Sequence, residues 1–173
     1  VISIHGYIYP VKKELPETFF LRGADCWGWA TWKRGWDLFE PDGKKLLNIL
    51  NAKNLSDDFD LGGAVKNIRM LKKQIAGKND SWAIRWHASA FIKNKITLYP
   101  GKSLVRNIGA DGEGTHVKST KAYDSKISTE KVKLHPIEVK ENDDAKKSVT
   151  EYFRSIKPGI KSGIISLINT FKS

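Results

Sequence analysis

The sequence predicts an α/β domain of short strands and helices, followed by a helical C-terminal tail. Three observations favour this class. Short apolar runs typical of strands occur near the start and around residues 96–105, apolar residues at helical spacing lie between them, and the composition changes after about Val117. A length of 173 residues suits one domain with a tail. The expected segments are a domain (1–117), a charged linker or arm (118–144) and an amphipathic helical tail (145–173).

The strand candidates are short apolar runs next to glycine or proline, which end regular structure. They are Val1–Ile4, Thr18–Leu21, Ile96–Tyr99 and Ser103–Val105.

Three helices are predicted between these strands. Residues 44–51 follow a turn signal at Pro41-Asp42-Gly43. Apolar side chains repeat at helical spacing over 65–75, and Gly77 is placed to cap that helix. Asn79-Asp80-Ser81 offers N-caps for a helix that runs to about Lys93.

The C-terminal tail becomes helical again from Ala145 and is broken at Pro158-Gly159. Beyond the break, isoleucines, leucine and phenylalanine form an apolar set flanked by lysines. Such a stripe is expected to dock on the domain, and contact with a membrane surface is the alternative.

The charge balance limits the partners of this chain. Its formal net charge is +11, from 30 Lys+Arg against 19 Asp+Glu. This favours anionic partners, including nucleotide phosphates and anionic lipid. Because no helix-turn-helix, zinc-finger or RNA-binding signature is present, nucleic acid is not expected.

The cellular setting predicted for the chain is the cytoplasm, with peripheral contact with the inner face of the plasma membrane as an option. The single cysteine, Cys26, excludes an internal disulfide. No apolar run approaches the roughly 18 residues of a membrane span, and no signal peptide is present. The chain opens without Met on a strand-like run and is interpreted as part of something longer.

All six tryptophans lie between Trp27 and Trp86, in the bursts CWGWATWKRGW and NDSWAIRW. A flat indole stacks on the apolar face of a sugar ring, and nearby Asp and Arg can bind its hydroxyls. The alternative is that these large aromatics fill the core. Trp27, Trp29 and Trp82 are expected to stack on sugars, whereas Trp32 and Trp36 are expected in the core.

Asp80 is the first candidate for chemistry. It is predicted at a helix start, where the helix dipole favours an ionised carboxylate and a general base could accept a proton. The alternative is a simple N-cap. Trp82 and Trp86, four residues apart, share a helix face and could form one aromatic wall beside Arg85.

His116 is the second candidate, in the glycine-containing loop Asp111-Gly-Glu-Gly-Thr-His116. A histidine can complete a mostly oxygen shell on Mn²⁺, although one His in a glycine loop is more often simply exposed.

Four segments in order resemble bacterial family-2 glycosyltransferases of the surface-polysaccharide, hemolysin-like type. They are Cys26–Trp36 (CWGWATWKRGW), Gly77–Trp86 (GKNDSWAIRW), Leu98–Val105 (LYPGKSLV) and Asn107–His116 (NIGADGEGTH). The resemblance covers roughly residues 1–117 and is to the C-terminal half of these enzymes.

The resemblance implies the acceptor-side half of a GT-A fold and a role in lipopolysaccharide or capsule biosynthesis. It implies inverting transfer from a nucleotide-sugar donor to a polysaccharide or lipid-linked glycan acceptor. Asp80 takes the place of the base, His116 that of a late metal ligand, and Trp27, Trp29, Trp82, Arg85 and Trp86 that of the substrate contacts.

The chain departs from the family pattern in one large respect. No D-x-D motif stands in a suitable place, because Asp58 and Asp60 fall after the first tryptophan burst. The donor-binding half, with most of the ligands to Mn²⁺ or Mg²⁺, is therefore expected upstream of Val1, and this chain is expected to transfer little sugar by itself. The competing interpretation is a non-catalytic module that binds carbohydrate or membrane.

Overall fold

The computed structural model of the protein describes residues 1–106 and 121–156, and they form a mixed α/β domain. Its strands are β1 (Ser3–His5), β2 (Thr18–Arg22), β3 (Trp29–Thr31) and β4 (Ile96–Pro100). Its helices are α1 (Lys33–Trp36), α2 (Gly43–Ala52), α3 (Ser56–Phe59), α4 (Asn67–Ile75), α5 (Trp82–Ile92) and α6 (Asp143–Ser155), with a 3-10 turn over Lys121–Tyr123.

The four described strands form one sheet in the order β2-β4-β1-β3. The central strands β1 and β4 are parallel, and both outer pairings are antiparallel. Ser3 lies opposite Thr97 in the parallel pair, and their hydroxyl oxygens are 2.6 Å apart in the interior. The Thr97 hydroxyl also donates to the carbonyl of Gly23, so this buried polar pair has its hydrogen bonds satisfied.

Hydrophobic contacts join the helices to each other and to the sheet. Leu46, Leu50 and Leu71 are fully buried where α2, α4 and α5 meet. On the sheet side, Trp86 of α5 packs with Ile2, and Val149 of α6 packs with residues of β2 and β4. Helix α5 therefore lies between the helical layer and the sheet, which places its side chains at the site described below.

The ends of the helices follow their sequence signals. The Asp42 side chain accepts hydrogen bonds from the backbone of residues 44 and 45 at the start of α2. Ser81 caps α5 by accepting from the Ile84 backbone. At the end of α4, Gly77 has φ +66°, and the amides of residues 77 and 78 donate to the carbonyls of residues 74 and 73, which is a Schellman motif.

The structure differs from the predicted elements in three places, the first of which is α3 (Ser56–Phe59), over which no helix was predicted. β3 and α1 form inside the first tryptophan burst, for which no element was predicted. The expected strand at Ser103–Val105 is absent from the described elements, and Ser103 instead anchors loops. Its hydroxyl accepts from the Ile8 amide at 3.2 Å and donates to the Val105 carbonyl at 2.8 Å.

The described part of the predicted linker runs along the domain. The Ser125 hydroxyl donates to the Ile8 carbonyl, and Glu141 accepts from the amide of Arg22. Ala145 of α6 is fully buried against the sheet. The apolar stretch predicted beyond Pro158 lies outside the described residues.

Candidate functional site

A cavity of about 480 Å³ opens between the sheet, helices α3–α5 and α6. Pockets that hold small ligands usually measure about 300–1,000 Å³. The loop after β2 supplies Asp25 and Trp27 to one side of this cavity, and Tyr9 lies next to them. Side chains of α3–α5 and the turns between them form the other side.

Asp25 is the acidic side chain beside Tyr9 and Trp27 in the cavity wall. The Tyr9 hydroxyl donates to Asp25 Oδ2 at 2.6 Å, and the Cys26 amide donates to Oδ1 at 2.8 Å. Each carboxylate oxygen has two lone pairs, so Asp25 can accept a further hydrogen bond from a hydroxyl in the cavity.

The other titratable groups beside Asp25 stay neutral. Burial raises the pKa of Tyr9 and Tyr99 well above the usual tyrosine value, and the Asp25 charge adds to the shift. Burial and the Asp25 charge also raise the pKa of the Cys26 thiol to about 12. Since a thiolate is the nucleophilic form of cysteine, Cys26 is an inert thiol at neutral pH. Asp25 is therefore the group here best suited to accept a proton.

Trp27 stands among tyrosines beside the cavity. Its ring makes edge contacts with Tyr7, at 5.0 Å between ring centroids, and with Tyr123, at 5.2 Å. Tyr9 lies 6.3 Å away and packs in turn on Phe153 of α6. These aromatic contacts hold the indole of Trp27 in one orientation at the cavity wall.

His5 fixes the backbone that carries Trp27. Its Nδ1 lies 2.8 Å from the Tyr7 carbonyl oxygen, and the Trp27 amide donates to Nε2 at 3.0 Å. An amide that donates to Nε2 requires that nitrogen to be unprotonated, so Nδ1 carries the proton and the ring is neutral. Burial lowers the pKa of His5, which agrees with this neutral form.

His87 of α5 joins the two sides of the cavity. Its Nδ1 lies 3.1 Å from the Ala24 carbonyl oxygen, and its ring stacks on Phe59 at 5.0 Å. Gly23 has φ +94°, and a Cβ there would lie 2.4 Å from the imidazole ring. The imidazole therefore packs directly on the backbone that leads to Asp25. Burial lowers the pKa of His87.

The two cations of the cavity wall are held in ion pairs. Arg22 Nη1 lies 3.1 Å from Asp58, and its guanidinium also donates to the Phe91 carbonyl. Lys146 Nζ lies 2.8 Å from Asp58 and 3.1 Å from Glu141. This network links β2, α3 and α6 at the cavity wall.

A second aromatic cluster consists of Trp29, Trp36, Trp82 and Trp86 and is called the indole cluster below. Trp86 is fully buried, and its ring lies 5.6 Å from Trp29 and 5.3 Å from Trp36. The outer members Trp36 and Trp82 are 43% and 41% exposed. The indoles of this cluster contact mainly one another, whereas Trp27 faces the cavity.

The tryptophans expected in the core are on the surface instead. Trp32 and Trp36 are both exposed. Arg34 stacks on the Trp32 ring, and Trp36 stacks on Phe39 at 5.0 Å. Both belong to the short segment at α1, whose Gly35 lies against Ile2 and Thr31.

The residues predicted for chemistry from the second burst do not line the cavity, although Asn79 and Ser81 on either side of Asp80 do. Asp80 is exposed and directly precedes the N-cap Ser81, so it is neither the cap nor part of the cavity wall. Arg85 donates to the Pro41 carbonyl at 3.0 Å and so holds the loop before α2. Trp86 has no exposed face for a sugar ring, because it fills the core between α5 and the sheet. His116 lies outside the described residues.

Of the cavity residues, Trp27 was predicted, and Asp25, Tyr9 and His87 were not among the residues that the sequence patterns indicate. A signal for Asp25 was present, since it stands in Gly23-Ala24-Asp25-Cys26, directly before the first burst. His87 gave no comparable signal, because it sits inside an apolar helix and its contacts with Ala24 and Phe59 are long-range.

The described residues do not form a metal site. Across residues 1–106 and 121–156, no group of three or more His, Cys, Asp or Glu side chains is placed to hold an ion. Over the same ranges, no helix is long and apolar enough to cross a membrane.

Comparison with known proteins gave no relative. No protein-family model, no curated protein and no solved structure matches this chain.

Proposed function

We propose that this chain is the acceptor-side half of a GT-A glycosyltransferase and that its cavity binds the acceptor sugar. The observation that carries the proposal is the placement of the Asp25 carboxylate beside the Trp27 indole in an open cavity. A sugar needs an aromatic face for its apolar side and a carboxylate for its hydroxyls. The resemblance of the two tryptophan bursts to family-2 glycosyltransferases supports the same assignment.

In this proposal Asp25 takes the role of general base that the resemblance gives to Asp80. An acceptor hydroxyl donates its proton to Asp25 while its oxygen attacks C1 of a nucleotide sugar, and the nucleoside diphosphate leaves with the bonding electrons. Neutral Tyr9 keeps its hydrogen bond to the carboxylate and orients it. Asp80 is too exposed to exclude water from such a step.

The donor and the divalent cation belong to a segment upstream of Val1 in this proposal. The described residues offer no cluster of ligands for a Mn²⁺ or Mg²⁺ ion. The roles proposed here for Asp25, Tyr9 and Trp27 therefore do not depend on one. His116 stays a proposed ligand.

A second function is favoured by the indole cluster. Trp36 and Trp82 expose large aromatic faces, as the surface of a non-catalytic carbohydrate- or membrane-binding module would. Such a module would bind its ligand at these indoles and would not need Asp25.

The test is acceptor-dependent release of nucleoside diphosphate from nucleotide sugars by the complete natural protein that carries this sequence. The glycosyltransferase proposal expects release that requires an acceptor glycan, with this chain alone binding acceptor but transferring little. If the complete protein binds glycans and releases no diphosphate with any sugar nucleotide, the binding module is the better account.

A further inference from the structure

The helical side of the cavity is apolar. Leu61, Val65, Met70, Ala83 and Ile84 line it, from the turn after α3 to the first turn of α5. A surface that binds only sugar needs a series of hydrogen-bonding groups, because each desolvated hydroxyl requires a partner. The side chains named above offer apolar surface instead of hydrogen-bonding groups.

Three polar side chains on this side of the cavity each make a hydrogen bond with the protein backbone. Asn67 Nδ2 donates to the Phe59 carbonyl at 2.8 Å, and Asn79 Nδ2 donates to the Met70 carbonyl at 3.2 Å. The Ser81 hydroxyl oxygen accepts from the amide of Ile84 at the start of α5. These bonds direct the amides and the hydroxyl to the backbone.

The cations of the wall are paired within the protein. Arg22 and Lys146 share Asp58, and Lys146 also pairs with Glu141. A diphosphate placed against this wall would compete with those carboxylates. The wall is therefore suited to an uncharged apolar group.

The two sides of the cavity have different chemistry and meet at His87. Its Nδ1 lies at the Ala24 carbonyl, next to Asp25, and its ring stacks on Phe59. A ligand that fills the cavity from Asp25 to Met70 must be polar at one end and apolar at the other.

We propose that the acceptor is an amphiphile, with its sugar at Asp25 and Trp27 and its hydrocarbon chain against Leu61, Val65, Met70 and Ala83. This inference rests on the proposed function and selects a lipid-linked acceptor over a free polysaccharide. The hydrocarbon contributes affinity, and the sugar presents the hydroxyl that reacts.

The probes are methyl, hexyl and octyl β-D-glucoside, titrated below their critical micelle concentrations into this chain by calorimetry or NMR. Burial of one methylene strengthens binding by about fourfold, so octyl glucoside is expected to bind about fifteenfold more tightly than hexyl glucoside. Equal dissociation constants across the series would overturn the proposal.

Matched variants locate the site at which the alkyl chain of the glucoside binds. Ala83→Trp places an indole in the apolar side of the cavity. In this variant the increase in affinity with alkyl-chain length is expected to disappear, while methyl glucoside still binds. Ala52→Trp, on an exposed position of α2, is the control and retains the gain. If the gain survives Ala83→Trp and disappears in Trp82→Ala, the alkyl chain binds the indole cluster and the proposal is wrong.

Met70→Lys covers the case in which Ala83→Trp does not fold. Met70 is 42% exposed, so a lysine there is compatible with the fold while it introduces a charge into the apolar side. It is expected to weaken octyl glucoside binding at least tenfold, and Met70→Leu is expected to leave it unchanged. Equal binding by both variants would contradict the proposal.

The transfer assay separates this inference from the proposed function. If affinity rises with alkyl-chain length but the complete protein transfers sugar to no acceptor, the apolar binding site is supported and the proposed function is wrong. If methyl glucoside is as good an acceptor as octyl glucoside, transfer stands and the amphiphile inference fails.

Discussion

The cavity beside Trp27 and the indole cluster use the same residue type in opposite ways. Trp27 contacts tyrosines and faces a cavity that contains a carboxylate. In the indole cluster, Trp29, Trp36 and Trp82 pack around the buried ring of Trp86. A tryptophan-rich sequence therefore indicates a site only where a polar group faces the same space.

Truncation of Trp86 is expected to have the largest effect on stability. Because Trp86 is fully buried in the core, Trp86→Ala should lower the free energy of unfolding by about 3–5 kcal/mol. Trp27→Ala, at a half-buried position, should cost less stability and remove glycoside binding. Urea denaturation and ligand titration of both variants check this pair, and a reversed order would contradict the division into core and site.

Substitution of Gly23 is expected to have the next largest effect. An alanine Cβ there would collide with the His87 ring and would also require a positive φ, so the loss should be about 2–3 kcal/mol. Gly77→Ala is the matched control, because its φ is +66° but a Cβ would meet no atom within 4 Å, and its loss should be about 1 kcal/mol. Equal losses in thermal denaturation would show that contact with His87 is unimportant.

Acid is expected to lower the stability of the domain through His5 and His87. Burial depresses the pKa of His5 and His87 in the folded state, so the unfolded chain takes up these protons first as the pH falls below about 6.5. Their contribution is present above that pH and is lost below it, by up to about 1.4 kcal/mol per histidine and pH unit. His87→Gln should reduce this dependence in denaturation curves from pH 7 to 5.

Glycoside binding by the folded protein should fall only at a lower pH than this loss of stability begins, because burial keeps the pKa of His5 low and only a protonated His5 cannot accept the Trp27 amide. A stability curve that is flat from pH 7 to 5 would contradict the assignment of both rings as neutral in the folded protein.

Truncation of Trp36 is expected to have the smallest effect. Its ring is 43% exposed, so Trp36→Ala should cost about 1 kcal/mol or less and should leave glycoside binding to the cavity unchanged. A loss of glycoside binding in this variant would favour the binding module.

Much of the fold could be predicted from local signals. Periodicity and capping residues indicated α2, α4 and α5, because those signals act within a few residues of sequence. β3 and α1 could not be found in this way, since the tryptophan burst has neither strand alternation nor a clear helical repeat. β3 forms by pairing with β1, which is a long-range contact.

The site was less predictable than the fold. Trp27 could be proposed from its type, whereas the cavity brings Asp25 and Trp27 together with side chains of α3–α6 from distant parts of the chain. Sequence proximity placed Asp80, Arg85 and Trp86 together, but the turn of α5 directs Trp86 into the core and Arg85 toward Pro41. Adjacency in sequence is a weak guide to which side chains share a space.

The most direct test of the central claim compares two carboxylates in the complete natural protein. Asp25→Asn should lower kcat for glycosyl transfer by about 10²–10⁴-fold with the fold intact, because it removes the proton acceptor while keeping the side-chain size. Asp80→Asn should stay within about twofold of the parent rate, since Asp80 is exposed and outside the cavity wall. Near-normal turnover in Asp25→Asn, with turnover lost in Asp80→Asn, would contradict the account and assign the base to Asp80.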